Sequence, residues 1–116
     1  MLVGANLSEA RLTNTHMARA QLSGATLAST DLSGADLRDA DLSGANLTQA
    51  NLANADLTGT DLRGANLTRA YGLTPANDGA AKLDEAVTCP DGTLATGRTC
   101  VRRGGTTSPA LGRAAP

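Results

Sequence analysis

Leucine recurs every five residues over the first part of this 116-residue chain. The series runs from Leu2 to Leu67, and Met17 fills its single gap. The residue two positions before the leucine is small, usually alanine, and the residue between them is most often Asp or Asn. The chain therefore repeats a five-residue unit, A-[D/N]-L-x-x, and internal repetition at this short period dictates what it can fold into.

An α-helix cannot use this pattern, because five steps of about 100° leave successive leucines about 140° apart around the axis. In an extended segment, Ala35 and Leu37 share one face and Asp36 points to the other. The next small residue, Ala40, lies three steps beyond Leu37, so it regains that face only if the chain bends. We therefore predict one bend per repeat, at positions that favour residues tolerant of unusual dihedrals. These positions hold Gly4, Gly24, Gly34, Gly44, Gly59 and Gly64, with Asn14 and Asn54 at two others.

The run from about residue 2 to residue 71 resembles the pentapeptide-repeat family. The resemblance implies an all-β fold, a right-handed quadrilateral β-helix with four repeats per coil, in which the leucine and the small residue point inward. Fourteen repeats then form about three and a half coils, followed by an irregular C-terminal tail. A full turn every four repeats stacks the leucines in columns, and the predicted core ladder consists of Leu22, Leu42, Leu62, Leu27, Leu47, Leu67, Leu32, Leu52, Leu37 and Leu57.

Four segments follow from the pattern. Residues 1–71 are the predicted solenoid, 72–88 a linker or short capping helix, 89–100 a loop bracketed by cysteines, and 101–116 a disordered tail. Periodicity stops at Gly72, and the stretch from Asn77 to Ala86 predicts a short helix, capped by Asn77 or Asp78, that covers the last coil.

The two cysteines, Cys89 and Cys100, bracket a turn-rich loop. We predict a disulfide between them, which in the chain-entropy model stabilises the fold by about 3 kcal/mol. Two free thiols and half of a metal site are the alternatives, although zinc needs about four ligands. The ending T-C-P-D-G-T…T-C resembles that of exported bacterial pentapeptide-repeat proteins, which implies an oxidising, secreted or extracytoplasmic location. The sequence shows no signal peptide.

The N-terminal end of the predicted solenoid has no cap. Met1 and Leu2 are already in phase with the repeat, so the first coil exposes its strand edges and its leucines. We expect either a truncated start, with further coils upstream, or an interface for a protein partner or a second copy.

The sequence predicts no catalytic, cofactor-binding or metal-binding residues. The single histidine, His16, occupies an outward position and has no nucleophile assigned to it. A coil of four repeats places Asp36 over Asp56, which makes a cation site the alternative to an ordinary outward row of acids. No apolar run is long enough to cross a membrane.

We therefore predict a non-enzymatic structural or protein-interaction scaffold, without nucleic-acid or membrane partners. The alternative implied by the resemblance is a DNA-mimicking, gyrase-binding protein of the quinolone-resistance type. A DNA mimic needs dense negative charge, because phosphates dominate what DNA-binding proteins recognise. Residues 1–70 carry seven acids and five arginines, which is a net charge of only minus two.

Overall fold

The computed structural model describes residues 2–73, 81–82 and 87–89. Over these residues the chain winds into coils that are joined by parallel β-bridges, and the described residues contain no helix. Each bridge pairs single residues, as in Asn6 with Thr26, Thr26 with Asn46 and Asn46 with Asn66. These partners are four repeats apart, so one coil contains four repeats. Each of these repeats contributes one bridging position, and one coil therefore has four sides. This is the spacing that the sequence predicted.

The five backbone N–H groups of a repeat all have regular partners, as residues 41–45 show. Leu42 and Gly44 donate to carbonyls of the following coil, and Asp41 donates to a carbonyl of the preceding coil. Ala45 closes a tight turn by donating to the Leu42 carbonyl. The remaining N–H, that of Ser43, donates to the Asp41 carboxylate over 3.0 Å. The coil thus satisfies its buried backbone without continuous strands.

Every repeat bends at the second residue after its leucine. At all fourteen of these positions φ is positive, between 57° and 74°. A positive φ at the third residue of a turn, together with the hydrogen bond that closes the turn, is typical of a type II turn. Eight of the fourteen positions are not glycine: Glu9, Asn14, Arg19, Ser29, Asp39, Gln49, Asn54 and Arg69. The repeated hydrogen bonds hold these residues in a conformation that costs an L-residue about 1–2 kcal/mol.

The core is an aliphatic rod inside the coils. All ten leucines of the predicted core ladder lie there, none more than 1% exposed. The small residues from Ala25 to Ala65 are equally buried, and Thr30 and Thr60 take the place of alanine in two of these repeats. Thr60 donates its hydroxyl to the carbonyl of Leu37 over 2.7 Å, and Thr30 donates to the carbonyl of Leu7 over 2.8 Å. The two buried hydroxyls are therefore satisfied.

Backbone pairing continues beyond residue 71. Lys82 forms a parallel bridge with Asp61, and Thr88 forms one with Asn66, in each case slightly further along the chain than the regular spacing of four repeats. Lys82 also donates its N–H to the carbonyl of Thr60. The predicted helix from Asn77 to Ala86 is wrong at Lys82, because a residue whose backbone pairs with the preceding coil cannot continue a helix. The other residues of that range, except Ala81, lie outside the described part of the chain.

Candidate functional site

The surface that differs most from the rest of the solenoid is the end formed by the first coil. Leu2 is 42% exposed and Val3 is 56% exposed, whereas Leu22, one coil further on, is fully buried. Leu7, Leu12 and Met17 are only partly buried, although they occupy the same repeat position as the buried leucines. The first coil thus presents the end of all four core columns. We refer to Leu2, Leu7, Leu12 and Met17 as the apolar end.

The backbone around the apolar end has unused hydrogen-bonding groups. In the inner coils the N–H before each leucine donates to the preceding coil, as Thr26 does to Ala5. The equivalent N–H groups of Asn6, Arg11 and His16 have no hydrogen-bond acceptor among the described residues. The first coil is therefore a sheet edge in which donors and acceptors alternate around an apolar centre.

At the opposite end the core continues in side chains that follow the periodic repeats. Leu73, Val87 and Cys89 are each at most 1% exposed and belong to the same core cluster as the leucines. Val87 and Cys89 flank the bridged Thr88, so Cys89 takes the place of a repeat leucine. Ala81 precedes the bridged Lys82 and packs partly against the core. Sequence analysis expected Val87 to contact the last coil from a helix but missed the bridges of Lys82 and Thr88, because two irregular spacings interrupt the period. The order Ala81-Lys82-Leu83 still matches the small-polar-apolar order of the repeat.

The acidic residues of the outer surface hold the backbone and pair with arginine. Arg38 donates two hydrogen bonds to Asp36, and its Nε lies 3.9 Å from Asp56 Oδ2 in the next coil. Arg63 forms an equivalent two-bond pair with Asp61. Both pairs join residues two apart in one repeat. The Asp36 and Asp56 carboxylates, which the sequence placed one above the other, thus share the Arg38 guanidinium.

These hydrogen bonds set the protonation of the outer carboxylates. The side chain and then the backbone N–H of Arg38 lower the pKa of Asp36 to about 2. The pKa of Asp61 is lowered first by the Arg63 side chain, and that of Asp56 first by the Thr58 hydroxyl. The Ser33 hydroxyl has the same effect on the pKa of Asp31. All four groups are therefore negatively charged at neutral pH and none is held in the protonated form that a general acid requires.

His16 is exposed and lies in a parallel bridge with Asp36. Among the described residues, no three His, Cys, Asp or Glu side chains lie together in a group that could hold a metal ion. The described chain also includes no helix that is long and apolar enough to span a membrane.

The predicted disulfide involves Cys89, which is buried, and Cys100, which lies outside the described residues. The pairing therefore stays a prediction, as do the 89–100 loop and the 101–116 tail.

The family to which the repeat belongs follows from its match to a family model. The model for pentapeptide repeats matches residues 5–44 and 40–71, with eight copies, which is more than half of the chain. The chain belongs to the pentapeptide-repeat family. A search of curated protein sequences finds no significant match.

Solved structures of pentapeptide-repeat proteins resemble the chain. Rfr23 from the cyanobacterium Cyanothece 51142 is 38% identical with a TM-score of 0.61, over 73% of this chain and 60% of its own. HetL from Nostoc sp. strain PCC 7120, which is involved in heterocyst differentiation regulation, is 30% identical with a TM-score of 0.43, over 78% and 52% of the two chains. A protein of the Arabidopsis thaliana thylakoid lumen is 25% identical with a TM-score of 0.38, over 75% and 59%. The chain spans between about half and three fifths of the length of these proteins.

In this pentapeptide-repeat protein the Asp and Asn side chains before the repeat leucines are engaged in their own repeats, and the leucines from Leu22 to Leu67 are packed in the core. What the described coils present to solvent is therefore a set of regularly spaced outer faces.

Proposed function

We propose that this pentapeptide-repeat protein is a non-enzymatic structural or protein-interaction scaffold that binds a partner through its outer faces. Pentapeptide-repeat proteins are generally structural or interaction proteins, and the proposal includes the right-handed quadrilateral winding that the family implies. The observation that supports it is the regularity of the described coils. The leucines from Leu22 to Leu67 are buried, and the outer Asp and Asn side chains hold the backbone of their own repeats.

A partner would contact the polar side chains that project from the outer faces at the regular spacing of the coils. No reaction and no cofactor is needed for this role.

The gyrase-binding alternative is not favoured by the electrostatics. Two of the acids on the outer faces, Asp36 and Asp61, are paired with Arg38 and Arg63 at 2.7 Å. Their charge is neutralised locally, which opposes the dense negative surface that mimicry of a phosphate backbone requires.

The proposal can be tested by affinity capture, followed by measurement of the dissociation constant of the captured protein for wild type and four variants. Ser33→Arg, Arg38→Glu, Thr48→Glu and Arg63→Glu each change one of the four outer faces. The proposal predicts that at least one variant weakens binding while all four keep the wild-type melting temperature. Equal binding by all four variants, or turnover of a substrate by the purified chain, would refute it.

A further inference from the structure

We infer that Asn46 and Asn66 are acceptor sites for N-linked glycosylation, placed one coil apart on the same outer face of the solenoid. The substrate is a sugar activated at its anomeric carbon by a diphosphate, and the partner is the transferase that uses it. The inference goes beyond the proposed scaffold and does not depend on which protein the scaffold binds.

The sequence pattern that marks such a site is N-x-[S/T], in which a hydroxyl residue follows an asparagine by two positions. The chain contains this pattern three times, as Asn6-Leu7-Ser8, Asn46-Leu47-Thr48 and Asn66-Leu67-Thr68. Parallel bridges connect the three asparagines through Thr26, so all three lie on one outer face. The five-residue repeat does not by itself require this alignment, since the same position also holds Asp on other faces.

The hydroxyl residue contacts the asparagine amide in the folded coil. Asn66 Oδ1 accepts hydrogen bonds from the Thr68 N–H over 3.0 Å and from the Thr68 hydroxyl over 2.6 Å. Asn46 Oδ1 accepts from the N–H and the hydroxyl of Thr48 in the same way. Both bonds hold the amide through its oxygen, and neither Nδ2 donates to another residue of the described coils. The nitrogen that would receive the sugar is therefore free.

The surroundings of Asn66 allow access to this nitrogen. Asn66 is exposed, although it is bridged to Asn46 in the preceding coil and to Thr88 in the following one. Asn46 is half-buried. The residues that flank the leucines on this face are uncharged from Thr26 to Thr88 in the described coils, so no ion pair covers the amides. We therefore expect a higher occupancy at Asn66 than at Asn46.

The transfer needs only one group from this chain. A bond forms between the asparagine Nδ2 and the anomeric carbon of the sugar, and the bond between that carbon and the diphosphate oxygen breaks. Its electron pair leaves with the diphosphate, and one proton of Nδ2 passes to a base of the transferase. The solenoid is the acceptor and supplies no catalytic residue.

Asn51 is an internal control that the chain itself provides. It occupies the same repeat position as Asn46 and is likewise half-buried, and its Oδ1 accepts from the Ala53 N–H over 3.0 Å. Alanine has no hydroxyl, so the pattern is incomplete at this asparagine. We therefore expect no sugar on Asn51.

The experiment is peptide mapping by mass spectrometry of the full chain purified from its own cells, with a fragmentation method that retains the sugar. We expect a sugar on Asn66, a lower occupancy at Asn46 and none on Asn51. A single sugar residue would indicate a nucleotide-linked donor, and a preassembled oligosaccharide would indicate a lipid-linked donor. Unmodified Asn46 and Asn66 in this protein would overturn the inference.

Two matched variants, expressed in the same cells, test the role of the hydroxyl. Thr68→Ala is expected to lower the occupancy of Asn66 at least about tenfold, because a site that binds a hydroxyl rejects a side chain that lacks one. Occupancy of Asn46 should stay at its wild-type value. Thr68→Ser keeps the hydroxyl and is expected to keep the sugar.

Circular dichroism melting checks that both variants are folded. Thr48→Ala, with occupancy measured at Asn46, replaces Thr68→Ala if that variant does not fold. Undiminished occupancy of Asn66 in folded Thr68→Ala, or a sugar on Asn51 in the wild type, would contradict the inference, because either result would separate the modification from the hydroxyl.

Discussion

The Asp41 carboxylate accepts hydrogen bonds from both the backbone N–H and the hydroxyl of Ser43, over 3.0 and 2.6 Å. The same arrangement recurs around the solenoid, with Asn46 and Thr48 as another example. It explains why the residue before the repeat leucine is Asp or Asn, since these side chains reach the one N–H that the coil leaves unpaired.

Replacement of Asp41 therefore separates charge from hydrogen bonding. Asp41→Ala leaves the Ser43 N–H without its acceptor and is expected to lower the free energy of unfolding by about 1–2 kcal/mol. Asp41→Asn keeps the accepting oxygen and is expected to cost less than about 0.5 kcal/mol. Urea denaturation of the two variants measures the difference, and equal losses would mean that the charge, not the hydrogen bond, selects this residue.

Two glycines test how close the coils approach. Gly44 and Gly72 both have positive φ, +67° and +85°, but an added Cβ at Gly44 meets nothing within 4 Å, whereas at Gly72 it would lie 2.6 Å from the Ala53 Cα. Gly44→Ala is expected to destabilise by about 1–2 kcal/mol through backbone strain alone. Gly72→Ala adds a collision with backbone that cannot move aside, so its loss of unfolding free energy should clearly exceed that of Gly44→Ala. Thermal denaturation of both variants is the measurement, and a smaller loss for Gly72→Ala would contradict the close approach of the last coil.

Leucines at the middle and at the end of the core should differ in their contribution to stability. Leu47→Ala creates a cavity between two packed coils and is expected to cost about 2–5 kcal/mol. Leu2→Ala removes a side chain that is already 42% exposed, and in dilute, monomeric protein its cost should be well below that of Leu47→Ala. Chemical denaturation at low protein concentration checks this, and similar losses would mean that the first coil is buried in the monomer.

Acid should destabilise the solenoid in a defined window. The pKa of Asp36 is lowered from 3.8 to about 2, chiefly by its hydrogen bond from the Arg38 side chain, so the folded state binds protons less readily than the unfolded chain. This stability is fully present above the unfolded pKa and is lost as the pH falls through the folded value. The lowered pKa values of Asp31, Asp56 and Asp61 act in the same direction. The urea midpoint should thus decline between about pH 4 and pH 2.

Arg38→Gln provides the test of that mechanism, because it removes the guanidinium and should make the decline between pH 4 and pH 2 shallower. Arg69→Gln leaves the Asp36 pair intact and is the control, with an expected profile like that of the wild type. If both variants show the wild-type slope, the Arg38 pair does not set the protonation of Asp36.

The repeat allowed the inner coils to be predicted because each feature of the five-residue unit has one physical cause. Leucine fills the core, alanine leaves room beside it, and Asp or Asn binds the unpaired N–H. The corners were only partly predictable, since Glu9 and Arg19 adopt positive φ although nothing in their chemistry favours it. Their conformation is imposed by the hydrogen bonds of the turn and of the neighbouring coils.

The backbone conformation beyond the periodic repeats was not predictable for a different reason. Lys82 and Thr88 rejoin the bridges after irregular spacings, so a search at a fixed period stops at Gly72. The residue types favoured a helix locally, but pairing with Asp61 decided the structure at Lys82.

Residue-resolved hydrogen exchange tests the central claim, that coils of four repeats are stacked through their backbone, most directly. The amides of Asp41 and Asn46, which donate to the preceding coil, should exchange slowly. Rapid exchange at both residues would contradict the account.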